Sequence, residues 1–123
     1  MFQVRVEDNF AAAHYLVNYH GKCENLHGHN YRVRVYAEGE NLDKGGMLLD
    51  FGILKKTLKK VLDRLDHSLL NENKHYTEHE PSAELISFHI YKSLKEELPD
   101  APVTRVEVFE TEKNMAAYQK IKL

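Results

Sequence analysis

The sequence predicts a single α+β domain over residues 1–123, with a four-stranded antiparallel sheet and two helices on one face. The length suffices for one domain but not comfortably for two. Apolar and polar residues alternate near both ends of the chain, as in half-buried strands, whereas apolar residues recur at helical spacing in the middle. The order is therefore strand, strand, helix, helix, strand, strand, which is typical of an α+β domain.

Two strands are predicted in the first third of the chain. Residues 2–7 alternate between apolar and polar side chains, and we expect the strand to continue through 10–14, with a bulge near 8–9. Residues 15–26 are mostly polar and contain turn formers, which indicates a loop. Alternation returns over residues 27–36, so a second strand is expected there.

Two helices are predicted in the middle of the chain. Asp50 is a suitable N-cap for the first, in which apolar side chains recur at helical spacing up to Leu65. The lysines within residues 55–60 are interpreted as a solvated face of this helix. Ser82 follows a proline and is a suitable N-cap for the second helix, which we expect to end before Pro99.

The last two strands are predicted over residues 103–112 and 115–123. They are joined by a turn at 113–114, which is short enough for a hairpin. The sheet would have open edges and a second face that still carries apolar side chains. Because such edges are usually paired or covered, we expect a homo-oligomer.

Composition and charge exclude several classes of protein. The net charge is −2 with histidine neutral, which argues against a nucleic-acid partner held mainly by electrostatics. A lone cysteine cannot form an internal disulfide, so an oxidising compartment is not indicated. The sequence shows neither a signal peptide nor an apolar run near the roughly 20 residues that span a bilayer. We therefore expect a cytoplasmic protein without a membrane partner.

Three histidines are candidate ligands of a metal ion. His27 and His29 project from the same face of a strand because side chains alternate with period 2, and His14 ends the preceding strand. Imidazoles are good ligands of zinc, and three of them leave one tetrahedral position open, as in catalytic sites. Cys23 lies close in sequence and is interpreted as a base or nucleophile, with direct ligation of zinc as the alternative.

Four more residues are candidates for catalysis or binding, each with a structural alternative. Asp66 could polarise the imidazole of His67 for proton transfer, or His67 could simply meet the dipole of the first helix. Glu110 offers two acceptors to a ligand from an otherwise apolar strand face, or it could pair with a lysine or arginine. The Ser82 hydroxyl either contacts a ligand or only caps its helix.

Five motifs together resemble those of the 6-pyruvoyl-tetrahydropterin synthase family. They are Phe-x-Ala-Ala-His at 10–14, Cys-x-x-x-His-Gly-His at 23–29, Leu-Asp-His at 65–67, Pro-Ser-Ala-Glu at 81–84 and Phe-Glu-Thr at 109–111. They occur in the family's order and spacing, and the resemblance runs nearly end to end. Within the family the chain looks most like the bacterial 6-carboxy-tetrahydropterin synthases of the queuosine pathway, because three residues separate the cysteine from the first histidine of His-Gly-His.

The resemblance implies a fold unit, an assembly and a role for each candidate. The family's units, called T-folds, associate through strand edges into trimeric β-barrels that commonly stack into hexamers, with active sites between subunits. It implies Zn²⁺ on His14, His27 and His29. It further implies Cys23 as the general base, Asp66 and His67 as the second proton-moving group, and pterin contacts from Glu110 and Ser82.

The resemblance implies a zinc-dependent lyase. The reaction would convert 7,8-dihydroneopterin triphosphate to 6-carboxy-5,6,7,8-tetrahydropterin with release of acetaldehyde and triphosphate. Two alternatives are elimination of triphosphate to give 6-pyruvoyl-tetrahydropterin, and non-catalytic binding of a pterin or purine. A further branch of the family, which acts in folate synthesis, carries Glu in place of the cysteine. Glu24 beside Cys23 therefore leaves a minor aldolase-like activity open.

Overall fold

The computed structural model describes residues 1–77 and 79–120 and confirms the α+β class. These residues form two long helices, α1 (Phe51–Asp63) and α2 (Ala83–Glu97), and five strands. The strands are β1 (Phe2–His14), β2 (His27–Gly39), β3 (Ser68–Leu69), β4 (Val103–Phe109) and β5 (Met115–Gln119). The predicted last strand was longer, and its final residues 121–123 lie outside the described part.

The sheet has the strand order β3-β1-β2-β4-β5 and is mixed, so the prediction of four antiparallel strands is wrong in two respects. The additional strand, β3, runs parallel to β1 through the pairs Ala12–Ser68 and Ala13–Leu69. A two-residue strand has no alternation, and therefore the sequence pattern could not predict it. Its pairing brings the chain that follows α1 against the end of β1.

Strands β1 and β2 pair without interruption from Phe2–Gly39 to His14–His27. The predicted bulge near residues 8–9 is therefore wrong. Even-numbered side chains of β1 face the core along its second half, and Asp8 keeps this parity although it is polar. The polar Asp8 on the inner face interrupts the apolar–polar alternation of the sequence in the same way as a bulge would.

Both predicted helix caps are confirmed. The Asp50 side chain accepts a hydrogen bond from the Gly52 N–H (2.7 Å), and the Ser82 hydroxyl accepts one from the Leu85 N–H (3.2 Å). Caps of this kind typically contribute about 1 kcal/mol each. No helix among the described residues is long and apolar enough to cross a membrane.

The core lies between the two helices and one face of the sheet. On β2 the side chains of Tyr31, Val33 and Val35 are fully buried there, and His14 of β1 lies at one end of the same face. The metal-ligand candidates are thus placed at the edge of a packed core, on the two longest strands. This position gives their rings rigid support.

The second face of the sheet is charged, and the expectation of apolar side chains there is wrong in the main. Arg34 donates to the Glu7 carboxylate (Nε–Oε1 2.6 Å), and Arg105 pairs with Glu107 (Nη2–Oε2 3.0 Å). The one large apolar ring of β4 on this face, Phe109, lies beneath the guanidinium of Arg34 at 4.9 Å. The open strand edges are therefore the stronger structural reason to expect association.

Candidate metal centre and its surroundings

His14, His27 and His29 converge at the end of the β1–β2 ladder. His14 lies directly opposite His27 in the antiparallel register, and His29 lies two residues further along β2 on the same face. The ring centroids are 4.5 Å (His14–His27), 5.1 Å (His14–His29) and 4.8 Å (His27–His29) apart. One ring nitrogen of each lies within 4.8 Å of the others, which confirms the predicted three-histidine cluster.

Backbone carbonyls fix the orientation of two of these rings. The Nδ1 of His14 lies 2.7 Å from the Pro81 carbonyl oxygen, and the Nδ1 of His27 lies 2.8 Å from the Asn25 carbonyl oxygen. A ring nitrogen that meets a carbonyl oxygen must donate, so in the neutral ring Nε2 carries the lone pair. This is the usual outer-shell arrangement of metal-binding histidines.

The two Nε2 atoms of His14 and His27 face each other at 3.0 Å. Two lone pairs repel at this distance unless a cation lies between them. Zinc–nitrogen bonds of about 2.0–2.1 Å in a tetrahedron separate the two nitrogens by about 3.3 Å. The spacing therefore fits a shared metal ion after a small adjustment.

His29 supplies the third nitrogen. Its Nε2 is buried and has no hydrogen-bond partner among the described residues. The Glu110 carboxylate lies 3.8 Å from this atom. Burial lowers the pKa of His29, which favours the neutral form that binds metal, although Glu110 opposes this shift. The donor set of three imidazoles thus suits a divalent ion such as zinc.

The Tyr31 ring packs against two histidines of the cluster. Tyr31 was not among the candidates from the sequence. Its ring lies 5.8 Å from His14 and 5.4 Å from His29, centroid to centroid, and is fully buried. Burial raises the pKa of the Tyr31 hydroxyl strongly, so it stays protonated. The sequence could have indicated Tyr31, because it lies two residues after His29 and therefore on the same face of β2.

Cys23 is exposed on the 15–26 loop and lines an open cleft together with His27. The cluster of ligand atoms contains the three histidines but not this thiol. The geometry thus favours Cys23 as a neighbour of the metal centre over Cys23 as a ligand. The same cleft is lined by Lys22 and Glu24.

Asp66 and His67 form a hydrogen-bonded pair beside β1. The Asp66 Oδ2 lies 2.9 Å from the His67 Nδ1, while the Asp66 Oδ1 accepts from the Ala11 N–H at 2.8 Å. The backbone N–H of His67 donates to the Ala11 carbonyl at 2.6 Å. The Ala11 N–H, with smaller help from His67, holds the pKa of the Asp66 carboxyl below its usual range.

The contact between Asp66 and His67 favours the predicted role of Asp66 in orienting the His67 imidazole. The left-handed backbone of His67 (φ 55°) turns its ring back onto the preceding carboxylate, and its side chain remains 82% exposed. Helix α1 already ends at Asp63, so the alternative of a helix-dipole contact is weakened. Asp66 is therefore placed to orient an accessible imidazole.

Cys23 and His67 border different clefts of one chain. The cleft of His67 is lined by Ala11, Gly28 and His29, whereas the cleft of Cys23 is lined by His27. Each cleft is lined by a different histidine of the cluster. Neither of these two clefts is lined by both of the predicted proton-moving groups.

Glu110 lies one residue beyond β4 and lines a third cleft with Glu84 and Asn114. Its carboxylate lies 3.8 Å from the His29 Nε2 and is therefore next to the three-histidine cluster. The Ser82 hydroxyl is occupied as the cap of α2, and its neighbour Ala83 lines the cleft instead. Glu84 is the last residue of the Pro-Ser-Ala-Glu motif, whereas Asn114 was not among the candidates from the sequence.

Comparison with known proteins identifies relatives over nearly the whole length of the chain. The family model described as 6-pyruvoyl tetrahydropterin synthase matches residues 3–121. A 6-carboxy-5,6,7,8-tetrahydropterin synthase from Synechocystis is 37% identical, covering 96% of this chain and 93% of the relative. A putative 6-carboxy-5,6,7,8-tetrahydropterin synthase from Archaeoglobus fulgidus is 34% identical and covers 95% of each chain.

Solved structures of 6-pyruvoyl tetrahydropterin synthases share the fold of this chain. The 6-pyruvoyl tetrahydropterin synthase of Caenorhabditis elegans superposes with a TM-score of 0.84 at 30% identity, covering 98% of this chain and 96% of the other. The 6-pyruvoyl tetrahydropterin synthase of Plasmodium falciparum gives a TM-score of 0.80 at 26% identity, with 97% of each chain covered.

Proposed function

The chain belongs to the 6-pyruvoyl tetrahydropterin synthase family, and on that premise we propose that it is a zinc-dependent 6-carboxytetrahydropterin synthase. It converts 7,8-dihydroneopterin triphosphate to 6-carboxy-5,6,7,8-tetrahydropterin, with release of acetaldehyde and triphosphate. The relatives from Synechocystis and Archaeoglobus support this product, and the product would enter queuosine synthesis.

The observation that carries the proposal is the convergence of three imidazole nitrogens at one point. In His14 and His27, Nδ1 donates to a backbone carbonyl, so the lone pair on Nε2 is available to a metal ion. His29 adds a buried Nε2. Three ligands leave a position for a substrate oxygen. Zinc, when bound there, supplies a Lewis acid that polarises a substrate hydroxyl or carbonyl.

Glu110 is proposed to anchor the pterin ring. Its carboxylate offers two acceptors in a fork, and the amino-pyrimidinone edge of a pterin presents two parallel donors. The 3.8 Å distance between Glu110 and the His29 Nε2 supports a pose in which the ring binds beside the metal centre. We assign Ser82 a smaller part, because its hydroxyl already caps α2.

Cys23 is proposed to take a proton from the substrate, and His67, oriented by Asp66, to move a proton on the other side of it. General acid–base pairs of this kind require both groups within hydrogen-bond reach of the substrate. Since Cys23 and His67 border different clefts in one chain, the complete site would draw one of them from a second copy. Among the described residues, β3 pairs with the outer edge of β1 only at Ala12 and Ala13, and no strand pairs with the outer edge of β5. These edges support a homo-oligomer, a trimer or a dimer of trimers.

Triphosphate elimination to 6-pyruvoyl-tetrahydropterin is the second candidate. The solved structures from Caenorhabditis elegans and Plasmodium falciparum carry that name and share the fold. The same residues would serve, because both reactions begin with proton relocation between ring and side chain.

Product analysis separates these functions. Protein of measured metal content is incubated with 7,8-dihydroneopterin triphosphate, and the products are identified by mass spectrometry. We expect 6-carboxy-5,6,7,8-tetrahydropterin together with acetaldehyde. A 6-pyruvoyl product would replace the first candidate by the second, and no conversion by fully metal-loaded protein would contradict both.

A further inference from the structure

The loop that carries Cys23 is an ordered hairpin. Tyr19 and Lys22 exchange two backbone hydrogen bonds (2.7 and 2.9 Å) around a turn at His20 (φ 50°) and Gly21 (φ 79°). Positive φ at both central residues is typical of a type I′ turn, which suits a two-residue hairpin. Cys23 directly follows this turn and therefore has a defined backbone position.

The base of the hairpin is closed by a second pair of bonds. The Glu24 N–H donates to the Leu16 carbonyl at 2.8 Å, and the Leu16 N–H donates back to the Glu24 side chain at 3.1 Å. Glu24, next to Cys23, thus has a structural task. Its carboxylate is engaged in closing the loop.

Side chains from the connection between α1 and α2 attach this hairpin to the body of the domain. Asn71 accepts from the Tyr15 N–H (3.0 Å) and donates to the Tyr15 carbonyl (2.9 Å). Glu80 accepts from two successive amides, those of Val17 (Oε2, 2.8 Å) and Asn18 (Oε1, 3.2 Å). With the Leu16 bond to Glu24, all four consecutive N–H groups of residues 15–18 donate to side-chain oxygens.

Glu80 is also connected to the three-histidine cluster through the backbone. The next residue, Pro81, provides the carbonyl that orients His14, and Ser82 caps α2. One stretch of three residues therefore holds the cysteine loop, sets the ring of a metal-ligand candidate and begins a helix. Movement of either group relative to the other would have to break a bond to this stretch.

We propose that Glu80 is a positioning residue, which fixes the Cys23 loop relative to the metal centre through its bonds to Val17 and Asn18. Hydrogen bonds to a carboxylate are stronger than those between neutral groups, so one side chain can order two residues of the loop. Its benefit for turnover rests on the proposed function, because it presumes that Cys23 acts on a substrate at the metal centre. The loop attachment itself does not depend on that function.

The first test is hydrogen exchange of the full-length protein and its variants. In Glu80→Ala we expect the amides of Val17 and Asn18 to exchange about tenfold faster or more, because both lose their acceptor. Glu80→Gln should lie between, since a carboxamide has one acceptor oxygen. Glu72→Ala, which changes an exposed glutamate in the same connection, is the matched control. Equal exchange in Glu80→Ala and the control would overturn the proposal.

The second test is turnover. We expect Glu80→Ala to lower kcat about tenfold with KM and metal content nearly unchanged, since small misplacements of a reacting group are costly. Faster exchange with unchanged kcat would overturn the positioning role. If wild-type protein converts no pterin, the proposed function fails, whereas the exchange experiment still decides whether Glu80 holds the loop. Glu80→Gln keeps the test available if Glu80→Ala does not fold.

Discussion

The Nε2 atoms of His14 and His27 face each other across the β1–β2 ladder at 3.0 Å, and each ring is held from behind by a backbone carbonyl. Their positions follow from the strand register, which places the two residues directly opposite each other. A slip of one residue would move His27 and His29 to the other face of the sheet. The strand pairing therefore determines the position of the three-histidine cluster.

Removal of one ligand should abolish stable metal binding. We expect wild-type protein to retain about one zinc per chain after dialysis and His14→Ala to retain almost none. The loss should exceed the roughly 10- to 100-fold drop in affinity that follows loss of an outer-shell partner. Elemental analysis by mass spectrometry measures the ratio, and His20→Ala, an exposed histidine in the loop, is the control.

His14→Ala also tests whether bound metal raises the free energy of unfolding. Zinc at 100 times its Kd adds about 2.7 kcal/mol to the free energy of unfolding. A chelator should therefore lower the Tm of wild-type protein and leave that of His14→Ala unchanged. An equal drop in both proteins would contradict the assigned ligand set.

Cys23→Ala and His67→Ala should each abolish turnover, and a mixture of the two should regain part of it. Recovery is expected because the two residues border different clefts, so a mixed oligomer would contain some sites with both groups intact. The measurement is product formation after co-refolding of the variants. Inactive mixtures, despite confirmed mixed oligomers, would place both groups in one chain's site.

Glu110→Gln should weaken pterin binding while leaving metal binding intact. Loss of a charged acceptor typically costs about 1.5–3 kcal/mol, or roughly 10- to 150-fold in Kd. Metal binding should persist because the carboxylate lies 3.8 Å from the His29 Nε2, beyond hydrogen-bond reach. Pterin fluorescence titration measures the affinity, with Glu112→Gln, an exposed glutamate in the same turn, as the control. Equal affinities in the two variants would rule out Glu110 as the ring anchor.

His89 should make the protein less stable in mild acid. This side chain of α2 is only 9% exposed and stacks on His75, with ring centroids 5.0 Å apart. Burial, together with His75 and His79, lowers the pKa of His89 to about 4. Because the unfolded side chain titrates near pH 6.5, unfolding takes up a proton between about pH 6.5 and 4, and stability falls as pH falls through this window.

The test is denaturant unfolding at several pH values for wild type, His89→Phe and the exposed-site control His20→Phe. We expect the slope of stability against pH in this window to become smaller only in His89→Phe. His75, whose pKa is also lowered by burial, contributes in the same direction, so some slope should remain. An unchanged slope in His89→Phe would contradict the assignment.

Local sequence patterns predicted most of the fold and part of the site. Alternation and helical spacing located the long strands and both helices, and the capping side chains of Asp50 and Ser82 marked the helix starts correctly. The spacing of His27 and His29 placed both on one strand face. These features act over a few residues, so the sequence alone can determine them.

The tertiary structure decided the relations between residues far apart in the chain. It formed β3, which brings Asp66 to the Ala11 amide, and it placed Glu80 on the amides of the cysteine loop. It also placed Cys23 and His67 at different clefts of one chain. Such contacts depend on strand register and on which surfaces are buried together, and no local pattern in the sequence records either.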